Sequence, residues 1–170
     1  MSKMWKVAVI GAAGRMGSEA VAAVNQADDM ELVAALGNGD SLELLVEYGA
    51  EVMIDLTVPA VTEQNVRFAV EHNIHAVVGT TGWDEERLSS LETLLKEHPS
   101  VGVLIAPNFA IGSILATEFA AKAARFFESV EVIEMHHPNK VDAPSGTAVH
   151  TAQKIAESRA AAGVGPSPDA

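Results

Sequence analysis

Val7-Ala8-Val9-Ile10-Gly11-Ala12-Ala13-Gly14-Arg15-Met16-Gly17 decides the fold. Four apolar residues in a row, without polar alternation, are what a strand buried on both faces needs, and such strands belong to parallel sheets. The glycines that follow, spaced G-x-x-G-x-x-G, suit a sharp turn into a helix whose first amides meet an anion at close range. A dinucleotide pyrophosphate is such an anion. Alone the pattern is weak, but directly behind a buried strand it points to dinucleotide binding. A glycine-rich turn that only packs helix on strand would show the same letters.

Outward from this stretch the alternation repeats. Leu32 to Leu36 ends at Gly37, Val52 to Leu56 at Thr57, Ala76 to Val78 at Gly79, and Val101 to Ala106 at Pro107. Between these runs, Val66, Ala69 and Val70 share one face of a helix expected within Pro59 to His72. Leu88, Leu91 and Leu95 do the same in the next helix. Strands alternating with helices of this length predict an α/β fold: a doubly wound parallel, Rossmann-type sheet, here expected over residues 1–109. Beyond it Ile111, Ile114, Leu115 and Phe119 mark a longer helix, expected to continue to Phe126 and Phe127. A strand is expected from Val130 to Met135, then a polar segment from His136 to Gly146, then a helix from near Thr147 to around Ala160. One strand and two helices cannot cover a sheet on both sides. Residues 110–170 therefore read as a second, incomplete α+β unit, either a fragment or one that borrows packing from a partner.

Composition narrows the class. Lys and Arg number 11 against 23 Asp and Glu, a net charge of -12, which repels nucleic acid and acidic membranes. With no basic helix either, a DNA-binding role is disfavoured. An anionic ligand needs local positive help on such a surface. No cysteine is present, so disulfides and thiolate chemistry are excluded. Met1 to Lys6 runs straight into an apolar strand, and no run approaches the roughly 18 apolar residues of a membrane helix. A cytoplasmic location is expected.

In an open parallel sheet, ligands bind beyond the carboxyl ends of the strands, and three further motifs lie there or just after. A carboxylate for the adenosine ribose is expected about 20 residues past the glycines. The second strand instead ends Leu36-Gly37-Asn38-Gly39, with Asp40 the nearest acid. No arginine follows to attract a 2'-phosphate, although Arg15 can reach over from the helix start, and use of both NADH and NADPH is expected. Gly79-Thr80-Thr81-Gly82 is a small, hydroxyl-rich turn able to pass the nicotinamide ribose closely, or a plain strand-to-helix loop. In Ala106-Pro107-Asn108-Phe109 the Asn amide either fixes the carboxamide end of a cofactor or caps the long helix that follows.

The fourth motif is Glu134-Met135-His136-His137-Pro138-Asn139-Lys140-Val141-Asp142-Ala143-Pro144-Ser145-Gly146-Thr147-Ala148. Imidazole transfers protons near neutral pH, and an ammonium donates one or holds a carboxylate. The amides of Gly146 and Thr147, entering a helix, form an anion seat. Together they suit a small substrate with carboxylate groups, whereas the bland alternative is an exposed polar loop with a capped helix. A metal site is the rival for the histidines, but adjacent His side chains rarely converge on one ion and no His-x-x-x-His pattern accompanies them. No metal is expected, and His72, His75, His98 and His150 read as structural or surface residues.

In order, GAAGRMG, GTTG, APNFAIG and EMHHPNKVDAPSGTA resemble the dihydrodipicolinate reductase family, from Lys6 to about Arg159. The resemblance implies reduction of the dihydrodipicolinate precursor to tetrahydrodipicolinate with NADH or NADPH, in lysine and diaminopimelate biosynthesis. It implies that Gly11, Ala12, Ala13, Gly14, Arg15 and Met16 bind the pyrophosphate. Gly79, Thr80, Thr81, Ala106, Pro107, Asn108 and Phe109 would line the nicotinamide side. His136 would be the acid/base residue and Lys140 the proton donor, with His137, Gly146 and Thr147 on the substrate carboxylates. Full-length members would form homotetramers.

Two departures qualify this. Gly37 stands where the ribose acid is expected, which leaves the cofactor preference open. Family chains also continue past residue 170, so the expectation is a chain lacking their C-terminal part, which completes the substrate-domain sheet, builds the tetramer contact and returns to the nucleotide-binding domain. The alternatives are a truncated, non-catalytic nucleotide-binding module, and a related reductase of another small carboxylate. The His-His and Ser-Gly-Thr segment argues against the latter.

Overall fold

In the computed structural model, which describes residues 3–106, 108–136 and 143–165, five parallel strands form one sheet in the order β2-β1-β3-β4-β5. They are β1 (Trp5–Ile10), β2 (Met30–Leu36), β3 (Val52–Asp55), β4 (His75–Val78) and β5 (Val103–Ile105). The helices of this part are α1 (Arg15–Gln26), α2 (Glu43–Glu47), α3 (Thr62–Glu71) and α4 (Glu85–Glu97). The expected doubly wound parallel sheet is present. Sequence periodicity did not reveal α2, because five residues are too few to show a helical repeat. The fifth strand is shorter than the run Val101 to Ala106 suggested.

Alternating residues of the strands supply the core. Ala8, Ile10, Met53, Ala76 and Val78 pack with Leu45, Val66, Val70 and Leu91 from the helices. Full burial of each Val or Leu contributes about 1.5–3 kcal/mol, so this face dominates the stability of the sheet. Register places the strand ends in one row. Leu36 pairs with Ile10, Ile10 with Asp55, Asp55 with Val78, and Val78 with Ile105. Asp55 is the polar member of that row, and it is fully buried. On the other face Val52, Ile54 and Val77 are half-covered and Leu104 is 59% exposed, leaving an apolar hollow.

The chain divides into two compact units, Met1–Pro107 and Asn108–Ala170. In the second, α5 (Ile111–Ala124) packs against α6 (Gly146–Ala161), and the Thr117 and Thr151 hydroxyls meet at 2.8 Å. Thr117, Ala121 and Ala124 form a narrow buried strip on α5, while Ile111 and Phe119 are exposed. This helix ends at Ala124, short of the expected Phe126 and Phe127. The buried Arg159 guanidinium donates to the Ala124 carbonyl at the end of the helix and to Phe127 and Glu128 just past it, at 2.7–3.0 Å, and to Gly165. The expected strand over Val130 to Met135 is likewise not formed.

Candidate functional site

At the carboxyl edge of the sheet, the strand order reverses between β1 and β3, and the resulting crevice is where open α/β sheets bind ligands. The glycine turn enters it directly. Gly11 has φ +77°, and a Cβ there would strike the Leu56 carbonyl; one at Gly17 would strike the Gly11 carbonyl. The turn is thus pressed onto the backbone after β3. It is held by Ala12 N–H to Leu36 C=O and Gly14 N–H to Gly11 C=O, both 3.0 Å. α1 then begins without an acidic residue in its first turn. Its opening amides, at Arg15 and Met16, have no acceptor within the helix and lie on an exposed surface. Free amides, a helix N-terminus and no side-chain bulk over the turn fit a pyrophosphate.

Asp55 anchors the neighbouring loops. Its Oδ1 accepts from Thr57 N at 2.9 Å, Thr57 Oγ1 at 2.6 Å and Thr80 Oγ1 at 3.1 Å, and its Oδ2 from Asn65 Nδ2 at 3.2 Å. Thr80 is buried and directed at this carboxylate, whereas Thr81 is exposed. Arg87 ties the same loops from outside, donating to the carbonyls of Pro59 (3.0 Å) and Gly82 (2.9 Å) and pairing with Glu63. Ala106 N–H donates to Val78 C=O at 2.8 Å, which sets the end of β5 beside Gly79. At the end of β2, Asp40 folds back and accepts the Gly37 N–H at 2.7 Å, bringing a carboxylate to the place where the ribose acid was missed.

The second unit carries its own constellation. Ser145 caps α6, accepting from Ala148 N at 3.1 Å, and its own N–H donates to Glu134 Oε1 at 2.8 Å. The other Glu134 oxygen lies 3.6 Å from His136 Nδ1. One carboxylate therefore spans the helix start and a half-exposed imidazole. Gly146, the first residue of α6, is exposed and has nothing within 4 Å of where a Cβ would be.

Comparisons with known proteins settle what these two units belong to. Residues 5–109 match the dihydrodipicolinate reductase N-terminus and residues 112–167 the dihydrodipicolinate reductase C-terminus. The chain belongs to the dihydrodipicolinate reductase family. It is 64% identical over 170 residues to a 4-hydroxy-tetrahydrodipicolinate reductase of Streptomyces griseus subsp. griseus, covering all of this chain and 68% of the relative. A Streptomyces avermitilis protein of the same name is 62% identical over the same span. The dipicolinate-bound dihydrodipicolinate reductase of Paenisporosarcina sp. TG-14 superposes with a TM-score of 0.75 at 39% identity, over 92% of this chain and 67% of that one.

Within this reductase fold, the structure brings Gly11 to Met16, Gly79 to Thr81 and Ala106 to the same sheet edge. Pro107, His137 and Lys140 lie outside the described residues. Asn108 belongs to the second unit, where its Oδ1 accepts from Ala110 N and its Nδ2 donates to Ser113 Oγ, shaping the entry to α5. Phe109 is 46% exposed. Sequence reasoning missed Asp55, Arg87 and Glu134. Asp55 was hidden inside an apolar run; an acid at the end of a buried strand was the available signal. Among the described residues no group of three or more His, Asp or Glu could hold a metal ion, and no helix is long and apolar enough to cross a membrane.

Proposed function

We propose that the chain reduces the dihydrodipicolinate precursor to tetrahydrodipicolinate with NADH or NADPH, as a cytoplasmic enzyme of lysine and diaminopimelate biosynthesis. The observation that carries this is the match of both units, in order, to one reductase family over nearly the whole chain. Residues 1–109 serve as the dinucleotide-binding domain and 110–170 as the substrate and catalytic part. The amides of Gly11 to Met16 hold the pyrophosphate, while Gly79 to Thr81 and Ala106 to Phe109 line the nicotinamide end. When bound, the nicotinamide supplies a hydride to the conjugated ring. Lys140 or His136 delivers the balancing proton, and Glu134 holds His136 in place. His137 and the amides of Gly146 and Thr147 seat the carboxylates, as suits a fold whose Paenisporosarcina relative is dipicolinate-bound. The functional assembly is a homotetramer.

Cofactor use follows from the end of β2. Gly37 offers no carboxylate of its own, which admits a 2'-phosphate, while Asp40 beside it moderates that tolerance. Both cofactors are used. A second reading, a nucleotide-binding module without turnover, is favoured by the apolar faces that each unit leaves open, at Leu104 and at Ile111 and Phe119. The deciding experiment is NADH and NADPH oxidation coupled to dihydrodipicolinate synthase, which generates the unstable substrate, with calorimetric cofactor binding alongside. Turnover establishes the reductase. Binding without turnover establishes the module, and absence of binding overturns both.

A further inference from the structure

We propose that Asp55 is a positioning residue for the cofactor, using one buried carboxylate to set both the floor of the glycine turn and the Gly79–Gly82 loop; this rests on the nucleotide-binding reading above. Asp55 ends β3 at the crevice and is fully buried. Burying a carboxylate is costly unless its oxygens are hydrogen-bonded, and an apolar residue would serve mere packing as well or better. Here four donors converge on it, from the turn after β3, from α3 and from the loop after β4. The carboxylate therefore specifies loop geometry rather than filling space.

Two of those loops meet the proposed cofactor path. Leu56 and Thr57 form the backbone on which Gly11 rests, leaving no room for a Cβ between them. Thr57 is held to Asp55 through both its N–H and its hydroxyl, which fixes the height of that floor. On the other side, Gly79 N–H donates to the Asp55 carbonyl at 2.9 Å and the Thr80 hydroxyl to its side chain. The Thr80 hydroxyl is consequently a strut and not a cofactor ligand. The exposed Thr81 and the loop backbone are left to face the nucleotide.

The test uses the whole chain with Thr80→Val, Thr80→Ser and Asp55→Asn, reading NADH affinity by calorimetry and amide hydrogen exchange residue by residue. Thr80→Val keeps the side-chain shape but removes the donor, so NADH affinity should fall about tenfold, on the scale of a lost hydrogen bond to a charged group. Exchange should rise at residues 79–82 while Val77 and Ile54 stay protected. Thr80→Ser, which keeps the hydroxyl, should restore both. Asp55→Asn should loosen residues 57 and 79–82 together. Thr80→Val binding NADH as tightly as the parent would overturn the proposal, as would exchange rising uniformly across the sheet. If the unsubstituted chain binds neither NADH nor NADPH, the nucleotide reading itself fails and this inference falls with it.

Discussion

The two units of this acidic protein present different kinds of candidate ligand group. At the β1/β3 crevice the candidate ligand-facing groups are backbone amides, and the side chains that brace the loops are buried behind them: Asp55, Thr80 and Asn65. In the second unit the candidate groups include side chains, His136 among them, which lies beside Glu134. A site of amides is as rigid as the sheet that carries it. A site of side chains is only as rigid as its supporting contacts, which here are Glu134, Ser145 and the start of α6. On the proposed function, cofactor binding rests on the sheet and proton transfer on a segment braced by Glu134, Ser145 and the start of α6.

The sharpest way to break this division is to remove the proposed proton-transfer groups. Lys140→Ala and His136→Ala should each lower turnover by roughly two or more orders of magnitude, the scale of general acid–base catalysis, with NADH affinity nearly unchanged. Equal loss of NADH binding would show that the units do not divide the work. The converse change is Gly17→Ala, whose methyl has nowhere to go but the Gly11 carbonyl. Overpacking of this kind costs about 1–3 kcal/mol, and NADH affinity should drop by about tenfold or more while dipicolinate binding persists. Thermal melts and calorimetry on one preparation measure both.

Smaller effects refine the picture. Ser145→Ala removes the cap of α6 and should cost about 1 kcal/mol in a denaturant titration, with a raised KM for substrate and an unaltered KM for NADH. Asp40→Asn leaves the sheet edge intact but removes its charge, so the preference for NADPH over NADH should rise by about threefold, the modest scale of a single exposed charge. A ratio that does not move would mean Asp40 only shapes the Gly37 turn.

Legibility in the sequence followed the same division. Strand cores and the glycine turn were readable because burial on both faces and the absence of side chains leave direct marks in the letters. The Asp55 network was not, because Thr57, Asn65 and Thr80 come from three separate segments and only the register of β3 against β4 joins them. In the second unit, residue types at His136, Ser145 and Gly146 were plain, but periodicity overreached. Val130 to Met135 reads as a strand from its apolar and β-branched residues, yet the segment takes no strand geometry, which local pattern cannot report. The α5 terminus was misjudged for a related reason: the group that ends it, Arg159, lies 35 residues from Ala124.

That distance has a consequence for synthesis on the ribosome. Helix α5 emerges with its last carbonyls held only by the turn that follows it, and the guanidinium that adds a second donor at Ala124 is translated only after α6 is nearly finished. Until then the Ala124, Phe127 and Glu128 carbonyls lack that donor, so the contact that joins the end of α5 to α6 and the Gly165 carbonyl forms only once both helices have been made.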